Sequence, residues 1–207
     1  MTRLLASHLV RTMPGWTFLM AVLLAVALQF PALQSEPRVT MVLAGLRLAA
    51  AVLGAAVGFA LPDLMASTLV TPVARWRRQW LRIAIPLMPA VIIWAGLYMT
   101  VRQIAGPAVT WPHGFVILQA AVCGLLPVAA VAVAARHRDD ALGGLAGPLA
   151  QCVALVGTLF FIGRGSPWPP PATTDWTTAQ RSWPVALVLV VIVLLAANRE
   201  TVRAGRA

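Results

Sequence analysis

Long apolar runs dominate this sequence, and short polar tracts separate them. Six such runs cover roughly residues 16–33, 39–61, 83–101, 114–135, 141–163 and 183–197. Each reaches or approaches the length of about 20 residues that a helix needs to cross a bilayer. Because lipid offers the backbone no hydrogen-bond partners, helices are the expected form. The sequence therefore predicts an all-α polytopic membrane protein, with residues 1–207 forming a single transmembrane domain of six transmembrane helices.

The overall composition agrees with this prediction. Hydrophobic residues make up 60% of the chain and charged residues 11%, and the mean hydropathy is +0.83. Soluble domains carry about 25% charged residues. The net charge of +10 does not indicate nucleic acid, because the basic residues lie in short tracts between apolar runs instead of on one solvated face. We expect membrane lipid to be their partner.

The placement of the arginines predicts the orientation. With a cytoplasmic amino terminus, eleven of the sixteen arginines lie in cytoplasmic segments and four in outer loops, while Arg47 lies within the second run. Positively charged loops stay on the cytoplasmic side. We therefore expect a multi-pass protein of the cell (inner or plasma) membrane with both termini in the cytoplasm. Residues 2–12 suit an amphipathic helix in the membrane interface.

Lysine is absent from the chain, and this excludes two kinds of chemistry. A phosphate-binding loop of the Walker type needs a lysine that reaches the terminal phosphates, and Schiff-base catalysis needs a lysine amine. The sequence also contains no nucleophile–base pair or metal-ligand pattern, and Cys123 and Cys152 are expected to pack as buried small hydrophobes. We therefore expect a chain that is not an enzyme and has no cofactor or metal of its own.

The longest polar interruption between the runs spans residues 61–82. Pro62 ends the second run, and Asp63 can cap a new helix by accepting hydrogen bonds from backbone N–H groups. About two turns follow until Pro72, and an arginine- and tryptophan-rich tract then leads into the third run. Lipid headgroups account for that tract. They do not account for the short capped helix that precedes it.

This layout resembles that of the permeases of the type-2 ABC export family. The resemblance depends on a proline–aspartate pair after the second span, a threonine, a further proline and an arginine cluster before the third span. The six-span plan and the amphipathic amino-terminal helix agree with it. The resemblance implies a short cytoplasmic coupling helix that contacts a separate ATPase through Asp63, Leu64, Ser67, Thr68, Thr71, Pro72 and Arg75.

The same resemblance implies the partners. A cytoplasmic ABC ATPase would bind ATP and magnesium, and a second permease chain, identical or homologous, would complete the pathway. Residues 164–182 depart from the family pattern, because they are polar and rich in proline where relatives often have apolar re-entrant helices. An outer gate built from such helices is therefore not expected. A mostly apolar pathway with one arginine fits drugs, lipids, peptides, glycans or haem.

Two other functions remain open at this point. The first is a membrane anchor or sensor that positions a cytoplasmic partner without transporting anything. The second is a secondary transporter, which is disfavoured because none of the apolar runs carries an acidic residue able to bind a proton or a sodium ion.

Strongly polar side chains inside the predicted spans are the candidates for a pathway or a subunit interface: Arg47, Gln29, Gln119 and Gln151. An arginine at the bilayer centre costs about 2.5–3.5 kcal/mol on insertion scales. Arg47 is therefore expected to snorkel outward, to pair with a carbonyl or with Gln29, or to line the pathway and meet an anionic substrate group. The glutamines are expected to bridge helices or to line a polar path.

Two further patterns concern packing. Gly54 and Gly58 lie four residues apart, which gives the second span a small-residue face for the close approach of another helix. Trp168, Trp176 and Trp183 lie ahead of or at the start of the last run. We expect them to mark the outer membrane interface, and an inward-facing group that meets a ligand is the alternative.

Overall fold

A computed structural model describes residues 15–34, 38–61, 75–105, 113–137, 141–161, 166–168 and 176–199. Regular structure within these ranges is helical, and no strand occurs there. The expected interfacial helix at residues 2–12 lies outside the described residues, and so do residues 62–74. Of the residues assigned to the ATPase contact, only Arg75 falls in a described element, as the first residue of a long helix.

The described helices follow one another in the order α1 Gly15–Ala27, a 3-10 turn Phe30–Leu33, α2 Val39–Gly58, α3 Arg75–Ala105, α4 His113–His137, a 3-10 turn Ala141–Leu145, α5 Ala146–Leu159, α6 Trp176–Gln180 and α7 Ser182–Ala197. Within the described ranges, five stretches are long and apolar enough to cross a membrane, and Gly143–Leu159 is a shorter apolar helix. The prediction of an all-helical fold is thus confirmed for this part of the chain, with five to six helices able to span a membrane.

Helix α3 is longer than the predicted third span at residues 83–101. It contains 31 residues and is therefore ~46 Å long, about 15 Å more than the hydrocarbon core of a bilayer. No helix breaker separates the arginine–tryptophan tract from the apolar run, so one helix includes both. Pro86 and Pro89 lie inside α3 and do not end it.

The fifth run begins with a 3-10 turn instead of an α-helix. The glycines there disfavour the α-helix, and α5 begins only at Ala146. It ends at Leu159 and has 14 residues, fewer than the span expected at residues 141–163. The last apolar stretch is longer than predicted, because α6 extends it back to Trp176.

Helices α2 and α4 form the centre of the bundle. Helix α2 packs against α1, α3 and α4, and α4 packs in turn against α5 and α7. The share of buried residues is 72% in the α2 span and 56% in the α4 span, against 22% in the other three candidate spans. Those outer helices expose large apolar side chains such as Leu23, Ile92 and Ile192. An outer surface of this kind fits contact with lipid.

The predicted small-residue face of α2 is confirmed, and it contacts α4. A Cβ atom added at Gly54 would lie 2.7 Å from the carbonyl carbon of Gly124 and 2.8 Å from its Cα atom. One added at Gly58 would lie 2.9 Å from Cγ2 of Val131. The two central helices therefore approach each other backbone to backbone.

Arginine side chains join helix ends at one end of the bundle. Nη1 of Arg82 donates a hydrogen bond to the carbonyl of Leu61 over 3.2 Å, which links the end of α2 to the start of α3. Arg136 at the end of α4 donates to the carbonyls of Ala196 (2.8 Å) and Arg199 (3.4 Å), which lie where α7 leaves carbonyls unsatisfied. We call this end the Arg136 end, and the opposite end the Trp176 end.

Candidate binding site

Helix α2 carries Arg47 on the face that packs against α4. Arg47 lies eight residues after Val39, and therefore ~12 Å along the helix from the Trp176 end. Leu43, Ala50 and Gly54 share its face, because residues three, four and seven positions apart are neighbours on a helix. Only 8% of Arg47 is exposed. Ordinary helical periodicity thus directs the guanidinium into the bundle.

Two glutamines continue from Arg47 as a chain of hydrogen bonds. Nε of Arg47 donates to Oε1 of Gln119 over 2.7 Å, and Nε2 of Gln119 donates to Oε1 of Gln180 over 2.8 Å. Gln119 is 0% exposed and Gln180 is 1% exposed. These contacts connect α2, α4 and α6 inside the protein. We call Arg47, Gln119, Gln180 and Trp168 the Arg47 cluster.

Trp168 covers the flat face of the guanidinium. The Cζ atom of Arg47 lies 4.9 Å from the centroid of the Trp168 ring, and the Trp168 and Trp183 ring centroids lie 4.9 Å apart. A desolvated cation–π contact is worth ~2 kcal/mol. Trp176 and Trp183 are buried. These contacts agree with the alternative of an inward-facing group, while the expectation that the tryptophans mark the membrane interface stays a prediction.

The charge of Arg47 has no carboxylate partner among the described residues. All six acidic residues of the chain lie outside the described ranges, namely Glu36, Asp63, Asp139, Asp140, Asp175 and Glu200. Nη2 of Arg47 is buried and has no hydrogen-bond partner within those ranges. A buried cation with an unused donor is costly. A negatively charged acceptor close to the guanidinium would offset this cost.

A cavity of about 360 Å³ adjoins the cluster. Its polar lining consists of Thr40, Arg47, Cys123, Gln151, Thr158 and Trp168. Binding sites for small molecules typically measure about 300–1,000 Å³ and combine apolar walls with a few polar groups. Gln151 is 7% exposed, and its Oε1 atom is buried without a partner in the described part of the chain. Two residues that line the cavity thus each have a buried polar atom without a partner there.

The residues proposed from the sequence are only partly brought together. Arg47, Gln119 and Gln151 lie at or beside the cavity, whereas Gln29 does not contact Arg47 and donates to the carbonyl of Ala25 in its own helix over 3.1 Å. The alternative in which Arg47 pairs with Gln29 is therefore wrong, since Gln119 occupies that place. Gln180 was not among the proposed residues, because an amide in a polar stretch has no distinguishing pattern.

The two cysteines lie in different environments. Cys123 is buried and lines the cavity, as expected for a small hydrophobe. Cys152 is exposed, so the expectation that it is buried is wrong. Helix α5 directs Gly147 and Gln151 inward, and the residue that follows Gln151 lies about 100° further around the helix.

Comparisons of the chain with models of protein families, with curated proteins and with solved structures give no match.

The arrangement can bind a ligand through charge and shape. Arg47 offers a donor with a positive charge, Gln151 offers an acceptor, and the remaining wall is mostly apolar. No group of three or more histidine, cysteine or acidic side chains able to hold a metal occurs in the described ranges. Binding of an anionic group is the chemistry that these residues support.

Proposed function

We propose that this chain is a six-span permease subunit of an ATP-driven exporter. Support comes from the sequence pattern of residues 61–82, which resembles that of type-2 ABC permeases, and from the apolar helices of the bundle. In this proposal Gly143–Leu159 is the sixth membrane-spanning element. The excess of arginines at the Arg136 end makes that end cytoplasmic.

The observation that carries the proposal is the connection from the 62–74 segment to the Arg47 cluster. The hydrogen bond from Arg82 to the carbonyl of Leu61 joins α3 to the residue that precedes this segment. Nε1 of Trp94 donates to the carbonyl of Leu46 over 2.9 Å, which joins α3 to α2 one residue before Arg47. Helix α2 covers the ~16 Å between Arg47 and its last residue, Gly58. Because packed helices move as rigid elements, a push on the segment would move the cluster.

In the proposed mechanism two permease chains alternate between inward-facing and outward-facing arrangements. The second chain is identical or homologous, and ATP with magnesium binds in two partner ATPases, outside this chain. Closure of the ATPases presses on the 62–74 segment of each permease. Helix α2 then shifts against α4, and the surroundings of Arg47 change between the two states.

The cavity favours transport over the role of a membrane anchor, since an anchor has no use for an internal charged site. Ion-coupled transport is less consistent with the chain. It would need an acidic residue within a span, whereas none of the apolar runs of the sequence contains one.

Substitution of Asp63 or Thr68 by alanine is expected to lower ATP hydrolysis without removing the partner. Loss of the helix cap at Asp63 costs ~1 kcal/mol, so we expect activity to fall about fivefold or more if the capped helix transmits force, and loss of the Thr68 contact should act in the same direction. The measurement is magnesium-dependent ATPase activity that co-purifies with the tagged chain from its native membranes.

The exposed residue Arg181 at the Trp176 end provides the control. The Arg181→Gln variant is expected to retain full ATPase activity. If no ATPase co-purifies, the exporter proposal fails. If an ATPase co-purifies but neither substitution changes its activity, the chain is an anchor for that protein.

A further inference from the structure

We propose that the cavity beside Arg47 binds an anionic amphiphile, a molecule with one oxyanion head, a hydrogen-bond donor next to it and an apolar tail. As a statement about the exported substrate, this inference rests on the proposed function. The binding itself does not depend on it. A membrane phospholipid and a free amphiphile share this chemistry, and the experiment below separates them.

The surroundings of Arg47 indicate that the ligand carries an oxyanion. Its Nε atom is used by Gln119 and its face is covered by Trp168. Neither a neutral amide nor an indole ring neutralises a charge. Its Nη2 atom is buried and unpartnered within the described residues, and Arg47 lines the cavity. An oxyanion in the cavity would supply an acceptor and a negative charge, neither of which the described residues provide for this atom.

Gln151 indicates that the ligand also carries a hydrogen-bond donor next to the oxyanion. This residue lines the same cavity from α5, and its buried Oε1 atom accepts no hydrogen bond from the described residues. A buried acceptor without a partner is costly. A hydroxyl or amide N–H close to the oxyanion would satisfy it. N-acyl amino acids and phosphatidylglycerol both combine these groups.

The remaining walls of the cavity indicate that the ligand has an apolar tail. These consist of Leu43, Ala44, Leu48, Leu155, Val156 and Leu159. Val156, Leu159 and Thr40 line the cavity and are exposed. The opening therefore lies between α2 and α5, on the lateral surface. Apolar side chains line this opening, so a tail can extend from the cavity into the membrane.

The test is native mass spectrometry of the purified full-length chain in a nonionic detergent, titrated with N-lauroylglycine or its methyl ester. The two probes share tail and N–H group and differ in the carboxylate. Because a hydrogen bond to a charged group is worth more than one to a neutral group, we expect the acid to bind about tenfold or more tightly than the ester. Arg47→Gln should reduce the affinity for the acid to that for the ester.

Three further variants give the experiment its controls. Arg102→Gln removes an exposed arginine outside the cavity and should leave both affinities unchanged. Gln151→Leu should weaken the binding of N-lauroylglycine about fivefold. It should not weaken the binding of dodecanoate, which lacks the N–H group. Retained binding of the ester by Arg47→Gln shows that this variant is folded.

Phosphatidylglycerol and phosphatidylcholine with equal chains identify the source of the ligand. A preference for phosphatidylglycerol that requires Arg47, with competition by N-lauroylglycine, assigns the site to a membrane lipid. Binding of N-lauroylglycine without such a preference assigns it to a free amphiphile. Both outcomes support the proposal. Because no ATPase is present, failure of the exporter proposal would leave this result unchanged.

Three outcomes would overturn the proposal. The first is equal affinity of the wild type for the acid and the ester. The second is binding of the acid only after Asp175→Asn, which would make a carboxylate of this chain the partner of Arg47. The third is an Arg47→Gln variant that loses a dimer seen in the same spectra but binds N-lauroylglycine as before, which would assign the site to a second copy of the chain.

Discussion

Replacing Gln119 by leucine is expected to lower the free energy of unfolding by about 3–5 kcal/mol. The substitution removes the acceptor of the 2.7 Å hydrogen bond from Arg47 and the donor of the 2.8 Å hydrogen bond to Gln180. Arg47 then remains charged and buried, and the leucine cannot accept its hydrogen bond. The measurement is the midpoint of unfolding of the detergent-solubilised protein in a titration with sodium dodecyl sulfate.

A double substitution distinguishes the effect of the buried charge on stability from the effect of a simple loss of packing. Replacing a buried polar pair by apolar residues is often close to neutral. Arg47→Met combined with Gln119→Leu should therefore recover much of the stability that Gln119→Leu alone loses. Gln103→Leu, at an exposed position of α3, should change the midpoint little. If the double variant were as unstable as the sum of the two single variants, Arg47 and Gln119 would not be coupled.

Gly54→Ala is expected to destabilise the contact between α2 and α4 by about 3 kcal/mol, at the upper end of the cost of overpacking. The added Cβ atom would lie 2.7 Å and 2.8 Å from backbone atoms of Gly124. A backbone cannot rotate away as a side chain can, so the two helices must separate. The loss should appear as a lower midpoint in the same unfolding titration.

Gly96→Ala is the matched control for this substitution. Gly96 also lies within a helix, but an added Cβ atom there would meet nothing within 4 Å. Because alanine favours helix over glycine by ~0.8–1.0 kcal/mol, this variant should be as stable as the wild type or more stable. Equal midpoints for Gly54→Ala and Gly96→Ala would show that α2 and α4 are not in close backbone contact.

The sequence predicted features that depend on neighbours along one helix. The apolar runs identify the membrane helices because length and composition are local properties. The spacing of Gly54 and Gly58 identified a close contact for the same reason, although it did not show that α4 is the partner. The boundaries of α3 were less predictable, since a polar tract without a breaker simply continues the helix.

The partner of Arg47 could not be predicted from the sequence. Gln29 and Gln119 are both single amides in apolar runs, and only the register between packed helices decides which one lies beside the guanidinium. The contacts of the tryptophans could not be predicted for a related reason. Trp168 and Trp183 have the composition of an interface belt, but the cation on α2 provides Trp168 with a partner that is 121 residues away in the chain.

The most direct test of the exporter proposal is cross-linking from the 62–74 segment in native membranes. A benzophenone maleimide is attached at Ser67→Cys in a chain that also carries Cys123→Ala and Cys152→Ala, and Ser182→Cys at the opposite end serves as the control. The proposal predicts an ATP-binding protein cross-linked from position 67 and not from position 182. The absence of such an adduct, or the same adduct from both positions, would contradict it.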